Sequence, residues 1–156
     1  MRRSSIDKNY LRLFLICLGL VFYHTLSSLY TLLPLFVGVF FSYVIINFDK
    51  EKNRLYIYLA FAYLTMYDLD KGFYLFSSLL FLLLFHYVFV DKIKNFFMCN
   101  NCIIFIYVSS AYLGHYALNL FISYILNQDR PLFSELYFYY IFLDSIIAMI
   151  LFKGKV

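Results

Sequence analysis

The sequence predicts an all-α membrane protein, a bundle of six transmembrane helices with both termini cytoplasmic. Three observations carry that prediction. Hydrophobic residues make up 64% of the 156 residues and charged residues 14%, against about 25% charged in ordinary soluble domains. The apolar stretches lack the polar residue at every second turn that a solvated helix face needs. The basic residues alternate from loop to loop as membrane orientation requires.

The chain is organised around residues 54–94. Two apolar segments, 55–67 and 73–90, flank the charged turn Asp68-Leu69-Asp70-Lys71-Gly72, with Arg54, Lys92 and Lys94 at the outer ends. This pattern reads as a helical hairpin through about 30 Å of hydrocarbon. Upstream, Arg2, Arg3, Lys8 and Arg12 face the single acid Asp7, and no small-residue cleavage site follows. Residues 13–48 carry no formal charge, too many for one span and enough for two. The polar patch His24-Thr25-Leu26-Ser27-Ser28 reads as the break, and Pro34 falls near the start of the second helix, where a missing N–H costs little. Asp49-Lys50-Glu51-Lys52-Asn53-Arg54 is a charged loop, residues 95–101 form a connector, and Asn127-Gln128-Asp129-Arg130-Pro131 is a turn. The spans are about 10–27, 29–48, 54–69, 72–90, 102–126 and 134–152, in a single integral membrane domain covering 1–156.

Charge placement fits that count. Eleven Lys and Arg residues lie at the two termini and in the 49–54 and 91–95 loops, whereas the other three turns hold only Lys71 and Arg130. The net charge of +4 is therefore a topology signal and gives no reason to expect nucleic acid. The 20 Phe and 17 Tyr, with no Trp, match the residue usage of an AT-rich bacterial coding sequence.

Few residues carry chemistry. Cys99-Asn-Asn-Cys102 lacks the further ligands a structural zinc requires, and Cys17 lies inside the first span. Asp144 sits mid-helix in the sixth span, and an acid at that depth needs a partner. His115 and Asn119, four residues apart on the fifth span, are the expected partners, holding Asp144 as polar glue between adjacent helices. Ser110 and Gly114, followed by Ala117, form a small-residue stripe for close packing against the fourth or sixth span. Asp68 and Asp70 read as the end of a helix entering the turn that Gly72 permits, with Asp68 drawn toward the bundle. Nucleophile–base pairs, phosphate loops and metal-ligand runs are not found, so the sequence predicts no enzyme and no cofactor.

The third and fourth spans resemble the MreD family of rod-shape membrane proteins. LAFAYLTMYD, LDKG, FYLFSSLLFLLLFHYVFV and DKIK repeat that family's order of apolar helix ending in aspartate, glycine turn, apolar helix and basic cluster. Asp68, Gly72, Lys92 and Lys94 take the matching positions, and Pro34 resembles the proline that opens the second span. The turn is poorer in Gly and Pro than the family's, and Leu35 stands where an acid commonly follows the proline. The resemblance implies a non-catalytic inner-membrane component of the peptidoglycan elongation complex. Its partners would be MreC and the elongation transpeptidase and glycosyltransferase, with no small-molecule ligand. The alternative is a transporter subunit similar to the substrate-binding component of energy-coupling-factor transporters, with Asp144, His115 and Asn119 as its polar cluster.

Overall fold

The computed structural model describes residues 3–48 and 54–154, with side chains from residue 11 onward. Residues 49–53 of the predicted 49–54 charged loop, and the basic residues Arg2 and Lys155, lie outside what is described. The described residues form six helices and no strand: α1 (Arg3–Leu29), α2 (Val37–Asn47), α3 (Arg54–Asp70), α4 (77–96), α5 (Asn100–Leu126) and α6 (Leu136–Leu151). They divide into two units, 1–33, which holds α1, and 34–156, which holds the rest. Two helical stretches, Leu11–Leu29 and Asn100–Leu126, are long and apolar enough to cross a membrane.

Several boundaries differ from those expected, each for a physical reason. The patch His24–Ser28 does not break the first helix. Thr25, Ser27 and Ser28 donate their hydroxyls to the carbonyls of Phe22, His24 and Thr25, so the helix absorbs them and runs on to Leu29. Helix α2 does not begin near residue 29. Pro34 instead lies in a non-helical stretch, and Phe36 takes a left-handed conformation (φ 52°) before Val37. Likewise α4 begins at Ser77 after left-handed Phe76 (φ 64°), leaving 73–76 as part of the turn, and it runs past Val90 to Phe96.

Helix α3 closes as expected. Phe73 N–H donates to Asp68 O and Gly72 N–H to Leu69 O, a Schellman turn whose left-handed position Gly72 fills at φ +66°. Helix α5 closes in the same way with Asn127 at φ 52°: Gln128 N–H reaches Ser123 O and Asn127 N–H reaches Tyr124 O. Helices α4 and α5 each contain one π-helical turn, at His86–Val90 and Ser110–Gly114. Each inserts a residue and turns the following face by about 100°.

In the unit of 34–156 the polarity is reversed from that of a water-soluble domain. Asp68, Asp144, Asn119 and Ser42 have no exposed surface, while Phe138 (62%), Phe142 (63%) and Tyr87 (76%) are open. The core between α2, α5 and α6 holds Val44, Val108, Ile104 and Ala148, and Phe41 lies against Phe81 and Phe85 of α4.

Candidate functional site

Three helices meet around Asp68. It stands in the last turn of α3, and its Oδ2 accepts Ser78 N–H (3.0 Å) and Ser78 Oγ–H (2.8 Å) from the first turn of α4. Phe76, at the N-cap position of α4, brings no acceptor side chain, so a carboxylate from the preceding helix does that work and faces the positive pole of α4. Asp68 Oδ1 has His115 Nε2 of α5 as its polar neighbour, at 3.2 Å. The same Nε2 lies 2.8 Å from Ser77 Oγ and 2.9 Å from Asn119 Nδ2. A favourable Oδ1–Nε2 contact requires one proton between the two atoms, carried by either the acid or the imidazole. Rings of Phe73, Tyr67 and Phe81 surround the imidazole and keep it dry. Asn119 completes the network: Nδ2 donates to His115 O (3.0 Å), and Oδ1 accepts Tyr74 N–H (3.2 Å), pinning the α3–α4 turn.

Asp144 makes a second site. Its Oδ2 accepts Gly38 N–H (3.0 Å) and Tyr112 Oη–H (2.7 Å), and the amides of Phe36 and Val39 add to the same positive pole at the start of α2. Oδ1 is buried and has no hydrogen-bond partner of ordinary geometry. Gly38 is required by proximity, since a Cβ there would meet Val108 and lie 3.2 Å from Asp144 Oδ2. Next to this site Tyr63 Oη–H donates to Leu35 O (2.6 Å), satisfying backbone in the non-helical stretch.

The expected pairing of Asp144 with His115 or Asn119 is therefore replaced by two separate sites. The 127–135 connection folds back along α5: Tyr116 Oη–H reaches Pro131 O (3.1 Å), and its ring packs against Phe133. Helix α6 thus starts deeper, bringing Asp144 level with Tyr112 and Val108. The π turn at Ser110–Gly114 then rotates His115 and Asn119 toward α3 and α4.

Other expected residues have plainer places. Asp70 lies at the end of α3 in an ion pair with Lys71 (3.5 Å) and takes no part in the Asp68 network. Gly114 lies under the Phe81 ring, which occupies the position a Cβ would take, so the small-residue stripe with half-buried Ser110 serves the α4 contact; Ala117 is exposed. His86 packs on Phe48, ring centroids 4.3 Å apart. Cys99 and Cys102 are exposed free thiols at the start of α5. The hydrogen bond from Cys102, with the amides of Cys102 and Asn101, draws the Cys99 thiol below its ordinary pKa. Among the described residues no three His, Cys, Asp or Glu side chains are grouped to hold a metal ion.

Above the Asp68 network, between the turn after α3 and the connection after α5, lies a cleft of about 500 Å³. Asn119 and Ser123 line its depth, and Gln128, Asp129 and Arg130 its mouth. Ser77, Ser78, Gly38 and Tyr112 were not singled out in the sequence, although their partners were. The signal was present as a recurring phrase ahead of α2 and α4, Leu35-Phe36-Val37-Gly38 and Leu75-Phe76-Ser77-Ser78. Comparison with family models, curated proteins and solved structures gave no match.

Proposed function

We propose that the chain is a multi-pass protein of the bacterial inner membrane, with six spans and both termini cytoplasmic. On this reading it is a non-catalytic component of the cell-shape and peptidoglycan elongation complex, acting through helix–helix contacts with MreC and the elongation transpeptidase and glycosyltransferase. The observation that carries the membrane reading is the reversed polarity of residues 34–156, carboxylates inside and Phe, Leu and Tyr outside. Water would penalise both halves of that arrangement, and hydrocarbon favours both. Helix α2, at 11 residues, is about 16 Å long and cannot cross alone. Its non-helical approach is tolerable at membrane depth because Leu35 O and Gly38 N–H are satisfied by Tyr63 and Asp144. The elongation-complex reading draws support from Asp68 and Gly72, two positions of the MreD-like pattern that have definite physical work in capping α4 and closing α3.

Two experiments test the parts separately. Reporter fusions are expected to read residues 70 and 128 as outside and residues 52 and 93 as inside; a reversed or five-span result rejects the topology. Crosslinked purification from gently solubilised membranes is expected to recover MreC or an elongation transpeptidase. Recovery of an ATPase module instead favours the transporter-subunit reading, for which the cleft beside Asn119 is the supporting observation.

A further inference from the structure

The cleft is lined by side chains with hydrogen-bonding capacity to spare. Among the described residues Ser123, only 2% exposed, makes no side-chain hydrogen bond, and Asn127, Asp129 and Arg130 form neither a side-chain hydrogen bond nor an ion pair. Gln128 uses one atom: its Oε1 accepts Tyr74 Oη–H (2.8 Å) across the rim, and its Nε2 is open. A volume of about 500 Å³ falls within the range of about 300–1,000 Å³ typical of small-ligand sites. The floor is rigid, because Asn119 is held on both sides by Tyr74 N–H and His115 O.

The chemistry of the lining selects a ligand class. The side-chain amides of Asn127 and Gln128 both donate and accept, as a peptide group does, and the Ser123 hydroxyl also does both. Arg130 offers a fork for a carboxylate, and Asp129 beside it offers a partner for an ammonium. Two helices, α3 and α5, end at the cleft, and their negative poles also favour the ammonium end. One cation next to one anion suits a zwitterion and disfavours a phosphate dianion. We infer that this cleft binds a short peptide, with its carboxylate at Arg130, its amino group at Asp129 and its amides on Ser123, Asn127 and Gln128. The inference does not depend on the elongation-complex reading, since it concerns the isolated chain.

The test is calorimetric titration of the full chain in detergent micelles with L-alanyl-L-alanine. Saturable binding is expected, weakened about tenfold by Arg130→Ala through loss of a charge-assisted bond. Ser123→Ala should weaken it less, and Lys153→Ala, at the opposite end of α6, should leave it unchanged. The N-acetylated, C-amidated dipeptide should bind the native chain more weakly than the free dipeptide binds the Arg130 variant, because it loses the Asp129 contact as well. No saturable binding by a cooperatively melting chain, or binding indifferent to Arg130→Ala, overturns the inference. Displacement by phosphoethanolamine at equal concentration, with no sensitivity to Ser123→Ala, assigns the cleft to a lipid headgroup and likewise overturns it.

Discussion

Asp68 and Asp144 each cap a helix other than their own, and the two sites differ in how fully the carboxylate is used. Both helices begin after a left-handed phenylalanine, and in both the second helical residue donates its N–H at 3.0 Å to an oxygen of a buried acid. A hydroxyl then adds to the same oxygen, Ser78 in one case and Tyr112 in the other. At Asp68 the remaining oxygen meets His115, and through it Asn119 and the α3–α4 turn. At Asp144 the remaining oxygen lacks a hydrogen bond of ordinary geometry, as Asp68 Oδ1 does, but among the described residues it has no counterpart to His115. Each site joins three helices, but the capping device is extended through His115 and Asn119 into a wider polar network at one and left as a clasp at the other.

That difference can be measured. Asp68→Ala would strand Ser78 N–H and Ser78 Oγ and take the acid from His115, whose Nε2 keeps Ser77 Oγ and Asn119 Nδ2, and should cost about 3–5 kcal/mol, as breaking a buried pair does. Reversible unfolding in mixed micelles reads it. Asp144→Ala strands Gly38 N–H and Tyr112 Oη, removes the acid that the Phe36 and Val39 amides face, and should cost about 1–3 kcal/mol in the same assay; a loss equal to that of Asp68→Ala would dissolve the distinction between the sites. Gly114→Val forces Phe81 out of its place and should cost about 1–3 kcal/mol, lowering the Asp68 site with it because His115 follows Gly114 directly. Tyr112→Phe should cost about 0.6 kcal/mol and no more than about 1.7, the mean and maximum found for interhelical hydrogen bonds in membranes. Added to Asp144→Ala it should cost nothing more, and an additive result would give Tyr112 a different partner. Alkylation of exposed Cys99, which should react with iodoacetamide ahead of Cys102 at neutral pH, should shift neither site beyond about 0.5 kcal/mol. Peptide mapping gives the order of labelling.

The helical character of the chain was legible because apolar composition and charge spacing are properties of long stretches. The third helix, ending at Asp70 with Gly72 beyond, was read almost to the residue, since a Schellman turn declares itself by its glycine. What could not be read was depth. Polar residues such as Thr25 and Ser28 look like a loop in sequence, yet their hydroxyls fold back onto their own helix. The partner of Asp144 depended on how far the 127–135 connection descends and on one extra residue in the turn Ser110–Gly114, and neither leaves a periodic trace. A local phrase did recur: Leu-Phe precedes α2, α4 and also α6, as Leu132-Phe133-Ser134. At α6 Ser134 Oγ accepts Leu136 N–H (3.3 Å), so that helix supplies its own acceptor and needs no carboxylate from elsewhere.

The separation of each cap from the helix it serves also sets an order in time. Asp68 precedes Ser78 by 10 residues, so the start of α4 has its acceptor as soon as it leaves the ribosome. Gly38 must wait for Asp144, 106 residues later. Until then the amides at the head of α2 lack that acceptor, and Tyr112 Oη lacks its partner. Of the two clasps the one at Asp144 closes second, once α6 has been made.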